Sequence, residues 1–526
     1  MPIRIRKDKG SSNNSNKPSY NRKSSGRRSS GGGGGIASAL IPILISLFRK
    51  NPKLGIIIVV VLGIGYFVMG SGGNPNSSSK IASIVQSFAG TGLEMDEKVY
   101  DEAEVFEPLA DNIKNPMPER VSLEEYCPTR KNQGSQGSCV GWSSAYAART
   151  ILQSRATGQH PNKVAFSPSF LYNQISLEGC QGTYLQKAME VMKSKGALPF
   201  SKFAYDENSC SHKPNSSEFQ VASAFTTKGF NRLSKSGDNY KTDLLAIKQN
   251  LAQGAPVVIG MMVGGSFMSK MQGRELWTPT RSDYDMKGFG GHAICVIGYD
   301  DYKTDKEGAF QIMNSWGEDW GKKGLFWIRY SDFEHFTREA YGLYPMGSSE
   351  VTNTTKLDAE IGIVYNETGK YLPFKYNNGI EFESTELLTI DTDFKVEITN
   401  SMECYTYIFG EETDGSSYVL FPYTAKHSPY CGITGTRLFP KDHSLFADAK
   451  GRKDHFAIVV SKQKLDYNKL NKHFNNANGA TYQEKVYNTL EGELIENVSF
   501  SGGRSIKFTT SSTTNNMVAV VLSVAK

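Results

Sequence analysis

The chain has 526 residues and a formal charge of +6, yet residues 1–53 hold 12 Lys or Arg against a single Asp, so +11 in that tail leaves −5 for the rest. A mildly acidic body excludes a nucleic-acid groove, which needs clustered Lys and Arg on a folded face. The length exceeds what one hydrophobic core holds and points to two folded units plus tails.

Residues 1–35 are Ser, Gly, Asn, Lys and Arg with no apolar period, and the composition predicts disorder. Residues 36–48 are apolar but short and contain Pro42, which suits an interfacial segment better than a crossing. Residues 54–70 open with LGIIIVVVLGIGYFVM, an uncharged run near the shortest length that spans a bilayer, and are expected to be the membrane anchor. Gly70, Ser71 and Gly72 keep a cleaved signal peptide as the alternative. Arg49, Lys50 and Lys53 directly before the run place the N-terminus in the cytoplasm and everything after it on the exported, periplasmic or cell-surface side. The seven cysteines are an odd number for an exported protein, so one free thiol is expected.

Residues 71–118 read as a tether with one short helix, and the acidic stretch MDEKVYDEAEVFE at 95–107 is either solvated or the cover of a groove. Between 119 and 346, helices are predicted over 140–153, at Leu185, Ala188, Met189 and Met192 before the stop at Gly196, and over 243–253. Strand-like runs follow at 256–263, 292–299 and 324–330, an α+β order with two segregated lobes. Residues 355–526 alternate polar and apolar side chains, carry an Asp414-Gly415 hairpin signal and end in a strand at 517–524, which predicts a mostly β accessory domain.

The segment NQGSQGSCVGW at 132–142 is a small-residue loop running into a helix that begins at Cys139. Free amide N–H groups and the helix dipole favour a thiolate there, and the thiolate is the attacking species. With GHAICVIGYD at 291–300 and NSWGEDWGKKG at 314–324 in that order, the chain resembles the papain-like cysteine peptidases over about 119–346. The resemblance implies a helical lobe and a β-barrel-like lobe with the site between them. It also implies Cys139 as nucleophile, His292 as its base, Asn314 as the residue orienting His292, and Gln133 as an oxyanion donor beside the Cys139 amide. Trp316 is expected to shield the His–Asn bond. The GCQGT stretch at 179–183 resembles the family's substrate-binding segment, so Gly182 and Thr183 are expected to bind substrate backbone, although Thr183 stands where the family has Gly. The family commonly has Cys where Gln136 stands and an aromatic where Val140 stands. The expected disulfides are Cys180 with Cys210 and Cys404 with Cys431.

His292 and Cys295 fall on opposite faces of a strand and cannot form a metal pair, and neither metal nor cofactor is expected. The C-terminal block, including YTYIFGEETDGSSYVLFP at 405–422, resembles a domain of unknown function attached to bacterial papain-like and caspase-like peptidases, which implies a bacterial cell envelope and a binding partner for that domain. The expected partners of the whole are a peptide or protein substrate and the membrane. A catalytically silent peptide-binding scaffold and an acyl transferase using the same triad are the alternatives to peptide hydrolysis.

Overall fold

The computed structural model describes residues 3–8, 91–110, 114–235, 241–344, 356–441, 443–510 and 515–526. The expected anchor at 54–70 and interfacial segment at 36–48 lie outside these residues. Among the described residues no helix is long and apolar enough to cross a membrane.

The helical lobe is built on a continuous helix over 139–157 whose middle, Trp142–Arg149, is π-helical. Val140, Ala145, Ala148, Ile151 and Leu152 are all buried, as befits a helix that is apolar around its circumference, and Gly158 at φ 66° ends it. Helices Pro168–Ile175 and Leu185–Ser194 pack nearby, the first capped by the Ser167 hydroxyl.

Among the described residues, eight of the first nine strands form the second lobe. In chain order the nine are β1 (Ile3–Lys7), β2 (Arg120–Ser122), β3 (Phe230–Arg232), β4 (Val257–Val263), β5 (Leu276–Trp277), β6 (Gly290–Asp300), β7 (Ala309–Met313), β8 (Leu325–Arg329) and β9 (Thr337–Leu343). The sheet runs β3-β9-β4-β6-β7-β8-β5, with β2 also on β6. Its centre, β4 and β6, is buried on both faces and therefore reads as unbroken apolar runs.

The accessory domain is a sandwich of two sheets. The shared core takes Phe456, Ile458, Val460, Val518, Val520 and Leu522 from two adjacent strands of one sheet and Ile361, Phe394 and Val396 from the other. The alternate residues of the same two strands, Ala457, Val459, Ala519 and Val521, meet a second core under helices Tyr467–Asn476 and Tyr482–Leu490. These two helices were not predicted, although Asp466 and a Thr481–Glu484 capping box announce them.

Two expectations are corrected by the fold. Residues 3–7, assigned to a disordered tail, form β1, which pairs antiparallel with His443–Ala447 at the edge of the accessory domain. The Ile-Arg-Ile-Arg alternation suits an edge strand, and Arg6 bonds Asp391 and lies 4.3 Å from the Phe446 ring centre. The assumed tether is also not one over 91–110: that stretch lies in the cleft between the lobes and then between the two domains.

Candidate active site

Cys139 begins the 139–157 helix at the floor of the cleft and is fully buried. The backbone amide of Ala293 donates to its sulfur at 3.4 Å, which sets β6 and the residue before Ala293, His292, beside it. His292 Nε2 lies 2.8 Å from Asn314 Oδ1. The same oxygen accepts the Ser315 amide at 2.8 Å, which identifies it as the carbonyl oxygen; His292 Nε2 therefore carries the proton and Nδ1 holds the basic lone pair. Nδ1 is buried without a hydrogen-bond partner among the described residues. Trp316 stacks on the imidazole with ring centres 4.5 Å apart and an interplanar angle of 23°, covering the His–Asn bond.

Gln133 is fully buried, and its amide is fixed from both ends: Oε1 accepts from Ser315 Oγ at 2.6 Å and Nε2 donates to Gln136 O at 2.9 Å. One Nε2 hydrogen remains for another acceptor. Tyr205, whose hydroxyl bonds both Gln133 O and Ser138 Oγ, ties this loop to the helical lobe and was not singled out from sequence.

Gly182 and Thr183 line the opposite wall. The Thr183 hydroxyl is turned inward onto Ile175 O at 2.7 Å, so the Thr that departs from the family pattern leaves its backbone free to pair. Its partner is residues 91–95 of the same chain. Thr183 N donates to Gly92 O at 2.9 Å, Glu94 N to Thr183 O at 3.0 Å, and Leu93 N crosses to Gly291 O at 3.2 Å. A β-carbon on Gly182 would stand 2.4 Å from Gly92 O and one on Gly291 2.4 Å from Leu93 O, so both walls need glycine for this approach. The Leu93 side chain lies over Gly260 beside Glu339. The Gly92 amide is among the backbone N–H groups that favour the Cys139 thiolate.

With the cleft filled, burial pushes the Cys139 thiol up to about 11, against amides of Ala293 and Gly92 that favour the thiolate, and burial drives the His292 imidazole down to about 4 despite the Asn314 bond. Both groups are neutral near pH 7 in this closed form. Burial likewise pushes the Glu339 carboxyl up to about 8, with Asp96 adding to it. Between an unfolded value of 4.5 and about 8 the folded chain keeps a proton that the unfolded chain releases, so stability falls as pH rises through that window. Glu339→Gln removes this loss, and its melting temperature relative to wild type should climb from pH 5 to pH 8; a constant difference in a thermal melt series would refute the assignment.

Of the two expected disulfides, Cys180–Cys210 is formed. Cys404 and Cys431 lie directly opposite in register but are free thiols, a correction to the expected pairing; Cys431 Sγ instead bonds Thr406 Oγ1 at 3.5 Å, so the buried sulfur has a partner without a covalent bond. Cys295 is a buried free thiol held above its usual range by burial.

Residues 117–346 match the family model described as papain family cysteine protease. The chain is 28% identical over 207 residues to an uncharacterized peptidase C1-like protein of Acanthamoeba polyphaga mimivirus, covering 38% of this chain and 63% of that one. It is 29% identical over 200 residues to cathepsin K of Mus musculus, covering 37% and 54%. It thus spans between half and two-thirds of the curated relatives it matches. Among solved structures, xylellain, a cysteine protease from Xylella fastidiosa, is 22% identical with a TM-score of 0.40, covering 49% of this chain and 96% of that one. By the family match, residues 117–346 form a papain-family cysteine protease domain.

Proposed function

We propose that this chain is a cysteine peptidase that cleaves peptide bonds through a thioester on Cys139, with His292 as acid and base and Asn314 as its positioning residue. The observation that carries the reading is the cleft itself, where an extended backbone is already held between Thr183 and Gly291, with Gly92 among the amides that favour the Cys139 thiolate. An extended substrate fits the same two walls by backbone pairing. Once the strap leaves and water relieves the burial, Cys139 and His292 exchange a proton to give the thiolate–imidazolium pair, the thiolate adds to the carbonyl carbon, and His292 returns the proton to the leaving amine. The Cys139 amide and the remaining Gln133 hydrogen face the oxyanion.

Exposure of the full chain to a thiol-directed epoxide and mapping of the adduct test this reading; labelling elsewhere, with Cys139 untouched after strap release, would sink it. Gln133→Ala should lower turnover roughly 100- to 1,000-fold because one oxyanion donor is lost. Asn314→Ala should cost more than Gln133→Ala and less than loss of His292, since the imidazole keeps its chemistry but not its tautomer. Steady-state kinetics on a peptide mixture reads both. The reading includes a membrane tether at residues 54–70, supported by their uncharged run behind Arg49, Lys50 and Lys53.

A further inference from the structure

The segment that fills the cleft does not end there. After the short helix Glu97–Tyr100 it continues as an extended stretch shared by both folded units. On the catalytic side Arg232 N donates to Glu104 O at 2.9 Å and Phe106 N to Arg232 O at 3.1 Å, while Leu109 exchanges two bonds of 2.9 Å with the Gln249 side chain. On the accessory side Val105 N donates to Lys426 O at 2.7 Å, Ser428 N to Val105 O at 3.0 Å and Ala110 N to Thr436 O at 2.8 Å. The buried Arg437 adds a bond from Nε to Glu107 O at 3.1 Å, with Nη1 held by Asn400 at 2.8 Å. Asn115 closes the far end on Ala110 O and Thr436 O, and two surface pairs, Lys464 with Glu104 and Lys426 with Asp101, flank the clasp.

We propose that the accessory β domain is a clamp that keeps the catalytic cleft shut by holding residues 104–110 in an extended segment shared between the two domains. The proposal rests on the reading of 91–95 as occupying a peptidase's substrate cleft. Its structural content is separate: the hold on the strap is non-covalent and distributed over two domains, and the exposed Pro116–Glu119 junction lies beyond every clasp contact. Cutting that junction leaves the strap seated. Opening instead requires that the accessory domain let go of the Val105 and Arg437 bonds, so whatever activates the enzyme acts on that domain.

The test uses the full chain and reads alkylation of Cys139 by iodoacetamide, mapped by mass spectrometry, so it needs no substrate and is independent of peptide hydrolysis. One form carries a site-specific protease sequence in place of Pro116–Pro118 and is nicked after folding. A second carries Lys464→Glu, which sets like charges against each other at Glu104. A third adds Glu104→Lys to the second and re-forms that pair with its signs exchanged. The nicked chain should label at the uncut rate, the charge-reversed chain about threefold faster, and the exchanged chain slowly again. Faster labelling on nicking alone overturns the clamp, and so does a charge-reversed chain that labels at the uncut rate. Should the charge-reversed chain misfold, the exchanged chain still decides: slow labelling supports the clamp, and fast labelling overturns it.

Discussion

Cys139→Ala and His292→Ala are each expected to abolish peptide hydrolysis in the strap-released enzyme, by roughly 10⁴- to 10⁶-fold in kcat, and the double variant should be no worse than either alone. The reason is geometric. His292 Nε2 is committed to Asn314, leaving Nδ1 as the single basic nitrogen, and that nitrogen has no work once the neighbouring sulfur is gone. Without Nδ1 the sulfur remains a thiol that burial already holds near 11 in the closed form. Additive losses would show that the two residues act in separate steps and would overturn the shared mechanism. Cys295→Ala is the control, since its thiol lies on the other face of β6 and has no part in proton transfer.

Gly92→Val is expected to open the enzyme. A β-carbon there would lie 2.1 Å from Gly137 O and 2.4 Å from Gly137 Cα, both backbone atoms that no rotamer change can move. Overpacking of this kind costs about 1–3 kcal/mol, so the equilibrium between seated and released strap should shift roughly 5- to 150-fold toward release. Release rehydrates the site, lowers the Cys139 pKa and raises that of His292, and alkylation of Cys139 at pH 7.5 should accelerate accordingly. Wild type, still closed, should label slowly near neutrality and faster as pH climbs toward 11, because only the thiolate reacts. An unchanged rate for Gly92→Val would show that residues 91–95 do not guard the thiol.

Much of the catalytic domain was legible because its signals are local. Asp243 caps the helix Leu244–Ala252, Gly196 follows Leu185–Ser194, and three ordered motifs bring Gln133, Cys139, His292 and Asn314 into one cleft. The strap was not legible, since Thr91–Met95 carries no charge pattern, period or motif of its own. What seats it is glycine at 182, 260 and 291 on the receiving walls together with Gly92 in the segment, a fit between two surfaces that neither stretch announces alone. The helices at 467–476 and 482–490 were missed for another reason: their caps are plain, but the strand texture around them set the expectation for the whole block. The resemblance that pointed to His292 could not show that residues 91–95 of the same chain would occupy the cleft.

The pairing of β1 with His443–Ala447 has a consequence for how the chain can meet a lipid bilayer. Residues that share a hydrogen-bonded ladder occupy one aqueous compartment, so this pairing is compatible only with an even number of bilayer passes between residue 8 and residue 91. A single pass through 54–70, with a cytoplasmic N-terminus and an exported catalytic domain, is odd and excludes this ladder, whether the strand comes from the same chain or from a neighbour. A tether at 54–70 that keeps this ladder therefore needs both of its flanks in one compartment.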